Sequence, residues 1–365
     1  MNNQSEMRAA LLEKVGEPLE VKRVPRVAPN AQELLVRVRA TAVLPHQRIA
    51  FSGLGPFLLP ELPAMVGWDV CGEVLEVGVG VSGFSKGDRV YVHPIISCGN
   101  CDYCHRGAPL LCERYMLLGG FGLSEGSREL QKRHRAGGFA EYMNVPAGNA
   151  VRIPADVDYS NGTRIGYAGV AYRALVRGEV GPGKNVAVIG ATGNLGVPAT
   201  KLALAMGADR VTAIARDTGK LEQLRDWIDD RRLQIVSVDR DGPDLGDRDT
   251  VDVVVDLLDE SRGARPEQVR ESLNWLAPGG TAVLVGVMTQ PVPVDYMALV
   301  TGDRKIVGSH GFTLREAREL VAMIKSGVFS FPKFDTHTFG LTEVNAALNL
   351  AWERPGGFTN IVVTP

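Results

Sequence analysis

The pattern of hydrophobic and polar positions changes near residue 160. Before it, short apolar stretches such as Leu34–Val38, Gly72–Val77 and Arg89–Val92 alternate with turns rich in glycine and proline, which is typical of β-strands joined by tight loops. After it, apolar strands alternate with segments of helical periodicity. The first part of the chain is therefore predicted to be β-rich, and the second to be an α/β unit.

The second part contains enough alternating segments for several βαβ units. Such alternation predicts a parallel sheet that is covered by helices on both faces. After Gly308 the pattern is helical again, and the chain closes with a strand that is free to rejoin the first domain. The predicted strands are Asn185–Gly190, Val211–Ala215, Val251–Leu257, Thr281–Val287 and Asn360–Val363, and the predicted helices are Leu195–Met206, Pro266–Leu276 and Leu314–Ser326.

Composition limits the class of function. The 365 residues are 45% hydrophobic and 22% charged, with a formal net charge of −2, which gives no electrostatic reason to expect nucleic acid or an anionic membrane as a partner. No apolar run reaches the roughly 20 residues of a membrane span. The polar start of the chain, Met1–Arg8, lacks the apolar core of a signal peptide. We expect a cytoplasmic enzyme that acts on a small molecule.

Four of the five cysteines form a cluster with the spacing C-x2-C-x2-C-x7-C. Four thiolates on one loop can surround Zn²⁺ tetrahedrally and leave no position for a substrate. An iron–sulfur cluster also uses such spacings, but nothing else in the sequence of this domain indicates electron transfer, so we predict a structural zinc. Cys71 stands apart in an apolar run and is predicted to be a core thiol. The predicted zinc ligands are Cys98, Cys101, Cys104 and Cys112.

A glycine-rich turn joins the first strand of the α/β part to the helix that follows it. Glycine alone mostly marks ordinary turns, but here a strand precedes the turn, a helix follows, and a second strand begins about fifteen residues later. A backbone without side chains lets the pyrophosphate of a dinucleotide reach the amide groups at a helix N-terminus. The predicted cofactor contacts in this turn are Gly190, Thr192, Gly193, Asn194, Leu195 and Gly196.

The end of the second strand of the α/β part indicates which dinucleotide is bound. NAD-binding proteins usually carry an acidic residue there, which holds the ribose hydroxyls. Here Ala215 is followed by Arg216, with Lys220 nearby, which leaves room for a 2′-phosphate and supplies a matching charge. We predict NADPH; the alternatives are that Arg216 only faces solvent and that Asp217 holds the ribose. The predicted cofactor contacts are completed by Val285 and Val287.

Two further motifs lie in the β-rich part. Gly87–Val90 has the sequence G-D-R-V, and Gly137–Tyr142 has the sequence G-G-F-A-E-Y. Together with the cysteine cluster and the dinucleotide turn, they resemble the zinc-containing alcohol dehydrogenases of the medium-chain dehydrogenase/reductase superfamily, over nearly the whole chain. The resemblance implies a GroES-like β domain joined to a Rossmann domain, with the active site between them. It divides the chain into residues 1–160 (catalytic domain, with the zinc lobe at 98–112), 161–311 (NADP-binding Rossmann domain) and 312–365 (return to the catalytic domain).

The chain departs from this family where the family binds its catalytic zinc. The resemblance places the three ligand positions at Leu44, Trp68 and Gly166, none of which offers a lone pair suited to Zn²⁺. His46 and Asp69 lie nearby, but two groups make a poor metal site. This region and the dinucleotide turn resemble the zinc-free quinone oxidoreductases instead. We therefore expect one structural zinc per chain and no catalytic zinc.

The missing ligands change the predicted chemistry. Catalytic zinc contributes several kcal/mol to charge stabilisation, so alcohol oxidation is difficult without it. Hydride transfer from NADPH to an activated C=C bond is less demanding, because the negative charge delocalises onto a conjugated carbonyl. We predict the reduction of an enone, a quinone or a similar conjugated substrate. The alternatives are a zinc-independent ketone or imine reductase resembling a biosynthetic alcohol dehydrogenase, and an NADP-binding structural or regulatory protein whose catalysis has lapsed.

Four residues are candidates for the catalytic site. His46 matches the family position of a proton-relay hydroxyl, and titration near neutral pH suits a general acid; the alternative is that it lines the cleft or bonds a backbone carbonyl. Tyr172 is a second candidate donor. Trp68 either walls the substrate pocket or fills the volume that a metal would take, and Asp69 either acts in the site or only forms hydrogen bonds at the domain interface.

The resemblance also implies that chains associate. Related proteins commonly pair through the edge of the Rossmann sheet. If Thr281–Val287 is that edge, the expected assembly is a homodimer or a homotetramer.

Overall fold

The structure is a computed structural model that describes residues 6–238 and 251–365. Its first part is β-rich, as predicted. The strands of this part are β1 (Glu6–Leu12), β2 (Glu20–Pro25), β3 (Glu33–Ala42), β4 (Ala64–Met65), β5 (Trp68–Val77), β6 (Arg89–Val92), β7 (Ile95–Ile96), β8 (Met116–Leu117), β9 (Phe121–Gly122), β10 (Tyr142–Pro146) and β11 (Ala150–Arg152), and the helices are α1 (Pro45–Phe51), α2 (Asp102–His105) and α3 (Arg128–Arg133).

The main sheet of the first domain is built around β3. This strand pairs antiparallel with β5 and with β10, and the sheet continues from β5 through β6 to β11. Leu34, Val36 and Val38 occupy alternate positions of β3 and are buried in one core, as the period of two along a strand requires. Strands β7, β8 and β9 form a separate small sheet.

The second domain is a parallel sheet with the strand order β14-β13-β12-β15-β16-β17. Counted within this domain, the order is 3-2-1-4-5-6, which is that of a Rossmann fold, so the predicted α/β class is confirmed. The strands are β12 (Asn185–Ile189), β13 (Arg210–Ala215), β14 (Leu233–Ser237), β15 (Val251–Asp256), β16 (Leu276–Leu284) and β17 (Lys305–Gly308), and the helices from residue 159 onward are α4 (Tyr159–Gly162), α5 (Ile165–Arg177), α6 (Gly196–Ala205), α7 (Thr218–Ile228), α8 (Pro266–Leu273), α9 (Tyr296–Thr301) and α10 (Leu314–Lys325).

The end of the chain returns to the first domain. It consists of β18 (Asp335–Gly340), α11 (Val344–Glu353) and β19 (Thr359–Thr364). Strand β19 pairs antiparallel with β3 and parallel with β18, so that the first-domain sheet has the order β11-β6-β5-β3-β19-β18. The chain therefore passes from the first domain to the second before the Rossmann sheet and returns to the first domain after it.

One predicted position in the Rossmann sheet is wrong. Thr281–Val287 is not the edge, because β17 pairs with β16 on its outer side and forms that edge itself. The strand also ends at Leu284, so Val285 and Val287 lie in the loop that follows it. Within residues 6–238 and 251–365, no helix has the length and apolarity needed to cross a bilayer.

Candidate functional site

The glycine-rich turn lies at the carboxyl end of β12, between β13 and β15, which is where doubly wound sheets bind their ligands. Gly190 has a φ of +84°, and its N–H donates to the Ile214 carbonyl at 2.9 Å. A Cβ atom on Gly196, the first residue of α6, would lie 2.2 Å from the Gly190 carbonyl oxygen. Only glycine therefore allows the helix to start this close to the turn. The predicted contacts of residues 190–196 thus lie together in one corner at the N-terminus of α6, the kind of position at which proteins bind anions.

A segment of the returning chain covers this corner. We call residues 354–359 the crossing segment. Gly357 donates its N–H to the Thr192 carbonyl at 2.9 Å, and a Cβ on it would lie 2.4 Å from the Gly193 carbonyl oxygen. Arg354 forms an ion pair with Asp259, beyond the end of β15. The first-domain side of the cleft is thus tied to the Rossmann domain beside the dinucleotide turn.

The two residues predicted to bind a 2′-phosphate have different surroundings. Arg216 is exposed at the end of β13, and its Nη2 donates to the Arg262 carbonyl at 3.3 Å. Lys220 Nζ donates to the Pro355 carbonyl at 2.9 Å and lies 3.5 Å from the Asp217 carboxylate. The backbone N–H of Lys220 also bonds Asp217, which lowers the pKa of that carboxyl group. Arg216 is open to an entering phosphate, whereas Lys220 is held by the crossing segment.

Val285 and Val287 lie on the expected side of the sheet although not in a strand. The N–H of Val285 donates to the Asp256 carbonyl at 3.0 Å, and that of Val287 donates to the Leu258 carbonyl at 2.9 Å. The side chain of Val287 is exposed. Both residues therefore face the carboxyl end of the parallel strands, where a dinucleotide would lie.

The four clustered cysteines converge as predicted. Their Sγ atoms all lie within 4.8 Å of one another, and four thiolates at Zn–S distances of 2.3 Å would be about 3.8 Å apart. Burial raises the pKa of Cys112, and the backbone N–H groups of Cys98 and Arg114, which donate to its Sγ at 3.4 and 3.3 Å, act against that rise. None of the cysteines forms a disulfide. The lobe therefore fits a closed structural zinc site.

The three positions at which the resemblance predicts the family's catalytic zinc ligands are filled or covered by packed side chains. Leu44 and Trp68 are buried in the core of the first domain. Gly166, near the start of α5, has no room for a side chain, because the Asp69 carboxylate lies against it. Among the described residues, the cysteine cluster is the only group of three or more His, Cys, Asp or Glu side chains placed to hold a metal.

His46 lies in the cleft on the first turn of α1, a helix that begins with proline at its first position. Its ring stacks on Trp68, with 5.1 Å between ring centroids and 20° between planes. The surrounding protein and then the positive charge of Arg354 lower the pKa of His46, while water in the open cleft reaches the exposed ring and offsets part of this desolvation. The lowered pKa favours a neutral imidazole at pH 7, whereas the predicted general-acid role calls for titration near neutral pH.

Trp68 supports His46 and does not wall an open pocket. Its side chain is 1% exposed, and its Nε1 donates to the Leu118 carbonyl at 2.6 Å. The rings of Phe51, Phe57 and Phe121 pack around it with centroid distances of 5.6–6.3 Å. Of the two predicted roles, this burial favours a packing role for Trp68 over that of a pocket wall.

Asp69 is a buried acid in an unusual backbone conformation. Its φ is +52°, which few non-glycine residues adopt, and its carboxylate accepts a hydrogen bond from the Tyr91 hydroxyl at 2.5 Å. Burial raises the pKa of Asp69 to about 7, against the lowering effects of Tyr91 and of the Arg164 charge. The side chain belongs to the packing between β5 and α5, so the structure favours the hydrogen-bonding role over direct action on a substrate.

Tyr172 is not part of this group. Its hydroxyl lies 3.2 Å from Glu319 Oε2 and donates to it, which ties α5 to α10. The phenol is therefore engaged on the outer face of α5, and the prediction of a second proton donor has no support in the geometry. Periodicity places a residue on a helix but does not give the direction of each side chain.

Sequence reasoning missed Arg164, the residue before α5. It is 5% exposed, and its guanidinium bonds Asn194 of the dinucleotide turn and Gly357 of the crossing segment. No sequence motif marks this arginine, because its contacts form only when three segments that are distant in the chain meet in the fold. Arg354 was missed for the same reason.

Comparison with known proteins agrees with this architecture. A family model described as the alcohol dehydrogenase GroES-like domain matches residues 30–155, and one described as zinc-binding dehydrogenase matches residues 195–326. An alcohol dehydrogenase of Geobacillus stearothermophilus is 31% identical over 332 residues, covering 88% of this chain and 90% of that protein. The chain belongs to the zinc-type alcohol dehydrogenases of the medium-chain dehydrogenase/reductase superfamily. It is an oxidoreductase with a GroES-like domain and a Rossmann domain.

Two further relatives show the range of this superfamily. An acryloyl-coenzyme A reductase of Metallosphaera sedula is 28% identical over 324 residues, covering 88% of this chain and 90% of that protein. The solved structure of a thermostable alcohol dehydrogenase from Pyrobaculum aerophilum is 26% identical, has a TM-score of 0.78, and is matched over 99% of this chain and all of that one. Superfamily membership therefore gives the fold and the class of reaction, and leaves the substrate to be inferred from the site.

Proposed function

We propose that this protein is an NADPH-dependent reductase that transfers hydride to an activated C=C bond without catalytic zinc. The observation that carries the proposal is the filling of the family's metal position: Leu44 and Trp68 are packed in the core, and Gly166 is covered by the Asp69 carboxylate. Because the described residues offer no set of metal ligands at this position, hydrogen-bond donors must stabilise the negative charge that develops on the substrate. Reduction of a conjugated system needs less of it than alcohol oxidation does.

The dinucleotide, when bound, supplies the hydride. The chain's contribution is to hold it: the turn at residues 190–196 receives the pyrophosphate at the N-terminus of α6. Arg216 is exposed beside the expected 2′-position, and among the described residues its guanidinium has a backbone carbonyl as its only partner, which supports NADPH. Asp217 caps α7, so its carboxylate is less available for ribose hydroxyls, which also supports NADPH.

His46 is the proposed hydrogen-bond donor to the substrate carbonyl. A neutral imidazole carries one N–H, and such a group can stabilise a developing enolate without giving up a proton. Stacking on the immobile Trp68 ring holds the imidazole in place. The proton required at the α-carbon would then come from water in the cleft.

One relative supports the substrate class. The acryloyl group is a conjugated enoyl thioester, and the protein named acryloyl-coenzyme A reductase is 28% identical to this chain over most of both lengths. The alcohol dehydrogenase at 31% identity favours carbonyl reduction as the second candidate function. The two candidates share the cofactor and differ in the bond that is reduced.

A substrate screen distinguishes them. NADPH consumption would be measured with enones, quinones, enoyl thioesters, ketones and imines, and the reduced bond would be identified from the product. Turnover of conjugated substrates well above that of isolated ketones supports the proposal, and the reverse order supports the second candidate. Tight NADPH binding with no turnover of any class would indicate a lapsed enzyme. In parallel, Arg216→Ser should reduce the preference for NADPH over NADH, and equal affinity of the unaltered chain for both would contradict the cofactor assignment.

We also propose that two chains pair along β17. This strand is one of the two edges of the described Rossmann sheet, and the neighbouring α9 region exposes apolar side chains. An unpaired edge beside an apolar patch is a typical interface. Light scattering should give at least a dimer, and Val300→Asp should weaken it. The exposed apolar residues of this region are Val294, Tyr296, Met297 and Val300.

A further inference from the structure

Arg164 joins three parts of the cofactor cleft through one guanidinium group. Its Nη2 donates to Asn194 Oδ1 in the dinucleotide turn at 3.2 Å and to the Gly357 carbonyl in the crossing segment at 3.1 Å. The rings of Tyr167 and Phe334 lie 4.6 and 4.8 Å from its central carbon. The side chain is fixed in position by these contacts, which costs a long arginine much of its rotamer freedom.

The charge of this arginine has no direct anionic partner. Its hydrogen-bond acceptors are an amide oxygen and backbone carbonyls, and among the described residues no carboxylate forms an ion pair with it. A buried cation is costly unless it is paired, and burial accordingly lowers the pKa of Arg164 to about 10. The Asp69 carboxylate acts on it only from a distance and is itself bonded to Tyr91.

The guanidinium also lines a pocket. The pocket is a small, partly open depression beside the dinucleotide turn, between α1 and the crossing segment. Pro45 and Asn194 line it from two sides, and Gly356 and Thr359 line it from a third. A cation that is nine-tenths buried, without an anion and adjacent to an anion-binding turn, is a suitable contact for phosphate oxygens.

We propose that Arg164 binds the pyrophosphate of the dinucleotide and, through the same guanidinium, holds the crossing segment closed over it. The phosphate oxygens would become the first anionic acceptors of this arginine, and Asn194 and Gly357 would keep its fork oriented. The inference rests on the proposed function only in requiring that a dinucleotide binds. Because NADH and NADPH share the pyrophosphate, it does not depend on which of them is preferred.

The test compares Arg164→Gln and Arg164→Lys with a matched control, Arg173→Gln. Arg173 is a partly buried arginine on α5, the helix that Arg164 directly precedes, and its ion pair with Glu316, at 2.8 Å, lies elsewhere. Dissociation constants would be measured for the better-bound dinucleotide, for adenosine 2′-monophosphate (which has no 5′-phosphate and so no part of the pyrophosphate), and for inorganic pyrophosphate, each at two ionic strengths.

We expect Arg164→Gln to bind the dinucleotide about 10- to 100-fold more weakly, to bind the monophosphate as the unaltered chain does, and to lose part of the salt dependence. Arg164→Lys keeps the positive charge but lacks the two-pronged guanidinium, so its dinucleotide affinity should lie between those of the unaltered chain and Arg164→Gln. If the glutamine variant does not fold, the lysine variant provides the test. Arg173→Gln should bind all three ligands normally. Unchanged dinucleotide affinity in both Arg164 variants, or equal losses for dinucleotide and monophosphate, would overturn the proposal.

The same experiment separates this proposal from the proposed function. If the unaltered chain binds neither dinucleotide, the proposed function fails. Inorganic pyrophosphate then gives the result for Arg164: binding that is lost in Arg164→Gln and kept in Arg173→Gln supports an anion site, and binding that is absent or unaffected overturns it.

Discussion

The Asp69 carboxylate lies against the backbone of Gly166, so closely that a Cβ atom on the glycine would be 2.2 Å from Asp69 Oδ1 and 2.4 Å from its Cγ. No side chain fits at residue 166 while the acid keeps its place. In the resemblance to zinc-containing relatives, this glycine stands where a metal ligand would be. The acid that follows Trp68 therefore occupies space that the third ligand would need.

Substitution of Gly166 should be destabilising for this reason. Gly166→Ala forces Asp69 to move and should lower the free energy of unfolding by about 1–3 kcal/mol, as measured by urea denaturation. Gly219→Ala is the matched control, because Gly219 lies in helix α7 and a Cβ there would meet only Asp217 Oδ1, at 3.6 Å. Alanine in such an open helical position should be neutral or stabilising by up to about 1 kcal/mol. Equal effects of the two substitutions would contradict the packing argument.

Asp69 should also make stability depend on pH. Its pKa is about 7 in the folded chain and near the ordinary 3.8 when unfolded. Between these values the folded chain keeps a proton that the unfolded chain has released, so the free energy of unfolding falls as pH rises from about 4 to 7. Asp69→Asn removes this pH-dependent contribution to the free energy of unfolding, while the amide oxygen of the asparagine can still accept a hydrogen bond from Tyr91. The stability of the variant relative to the unaltered chain should therefore increase over that window; a constant difference would show that Asp69 does not titrate there.

The cysteine lobe should hold one zinc ion. Metal analysis of the purified chain is expected to give about one zinc per chain, and Cys101→Ser should remove it and lower the melting temperature, because the bound metal contributes to folding. Cys71→Ser is the control: this buried thiol lies outside the lobe, so the variant should lose stability but keep its zinc. Two zinc ions per chain would mean that a second metal site exists.

The neutral state of His46 has a kinetic consequence. His46→Ala should lower kcat/KM by about 100-fold if the N–H stabilises a developing oxyanion, with little change in cofactor affinity. His46→Gln retains an N–H donor and should lose less. Because the pKa of His46 is lowered, the rate of the unaltered enzyme should not fall as pH rises through 6.5. Such a fall, if absent in His46→Gln, would restore the general-acid role.

Local patterns were enough to predict parts of the site. The cysteine lobe and the turn at residues 190–196 are each built from one short segment, so spacing and flanking elements determine their geometry. The strand alternation of the Rossmann sheet was likewise local: the strands predicted at β12, β13 and β15 agree within a few residues, Thr281–Val287 overlaps only the end of β16, and β14 and β17 were not predicted. Thr281–Val287 failed as an edge because the sequence does not show that β17 adds outside it.

Features that depend on distant contacts were not predicted. The sequence made Trp68 a candidate wall of a substrate pocket. In the structure its ring is enclosed by three phenylalanines, which come from α1, from the segment around Phe57 and from β9. The lowered pKa of His46 arises partly from Arg354, more than 300 residues away in the chain. Arg164 connects segments that are adjacent only after folding. Such relationships require tertiary structure, since no local propensity encodes them.

The position of β19 affects the order in which the protein can be made. This strand fills the place between β3 and β18 in the first-domain sheet, yet it is translated after the whole Rossmann domain. During synthesis, the edge of β3 that pairs with β19 stays unpaired while about 300 further residues emerge. The Rossmann sheet has no such delay, because its strands are contiguous in the chain. The Rossmann domain can therefore fold on the ribosome first, and the domain that carries His46 is completed only after β19 has emerged.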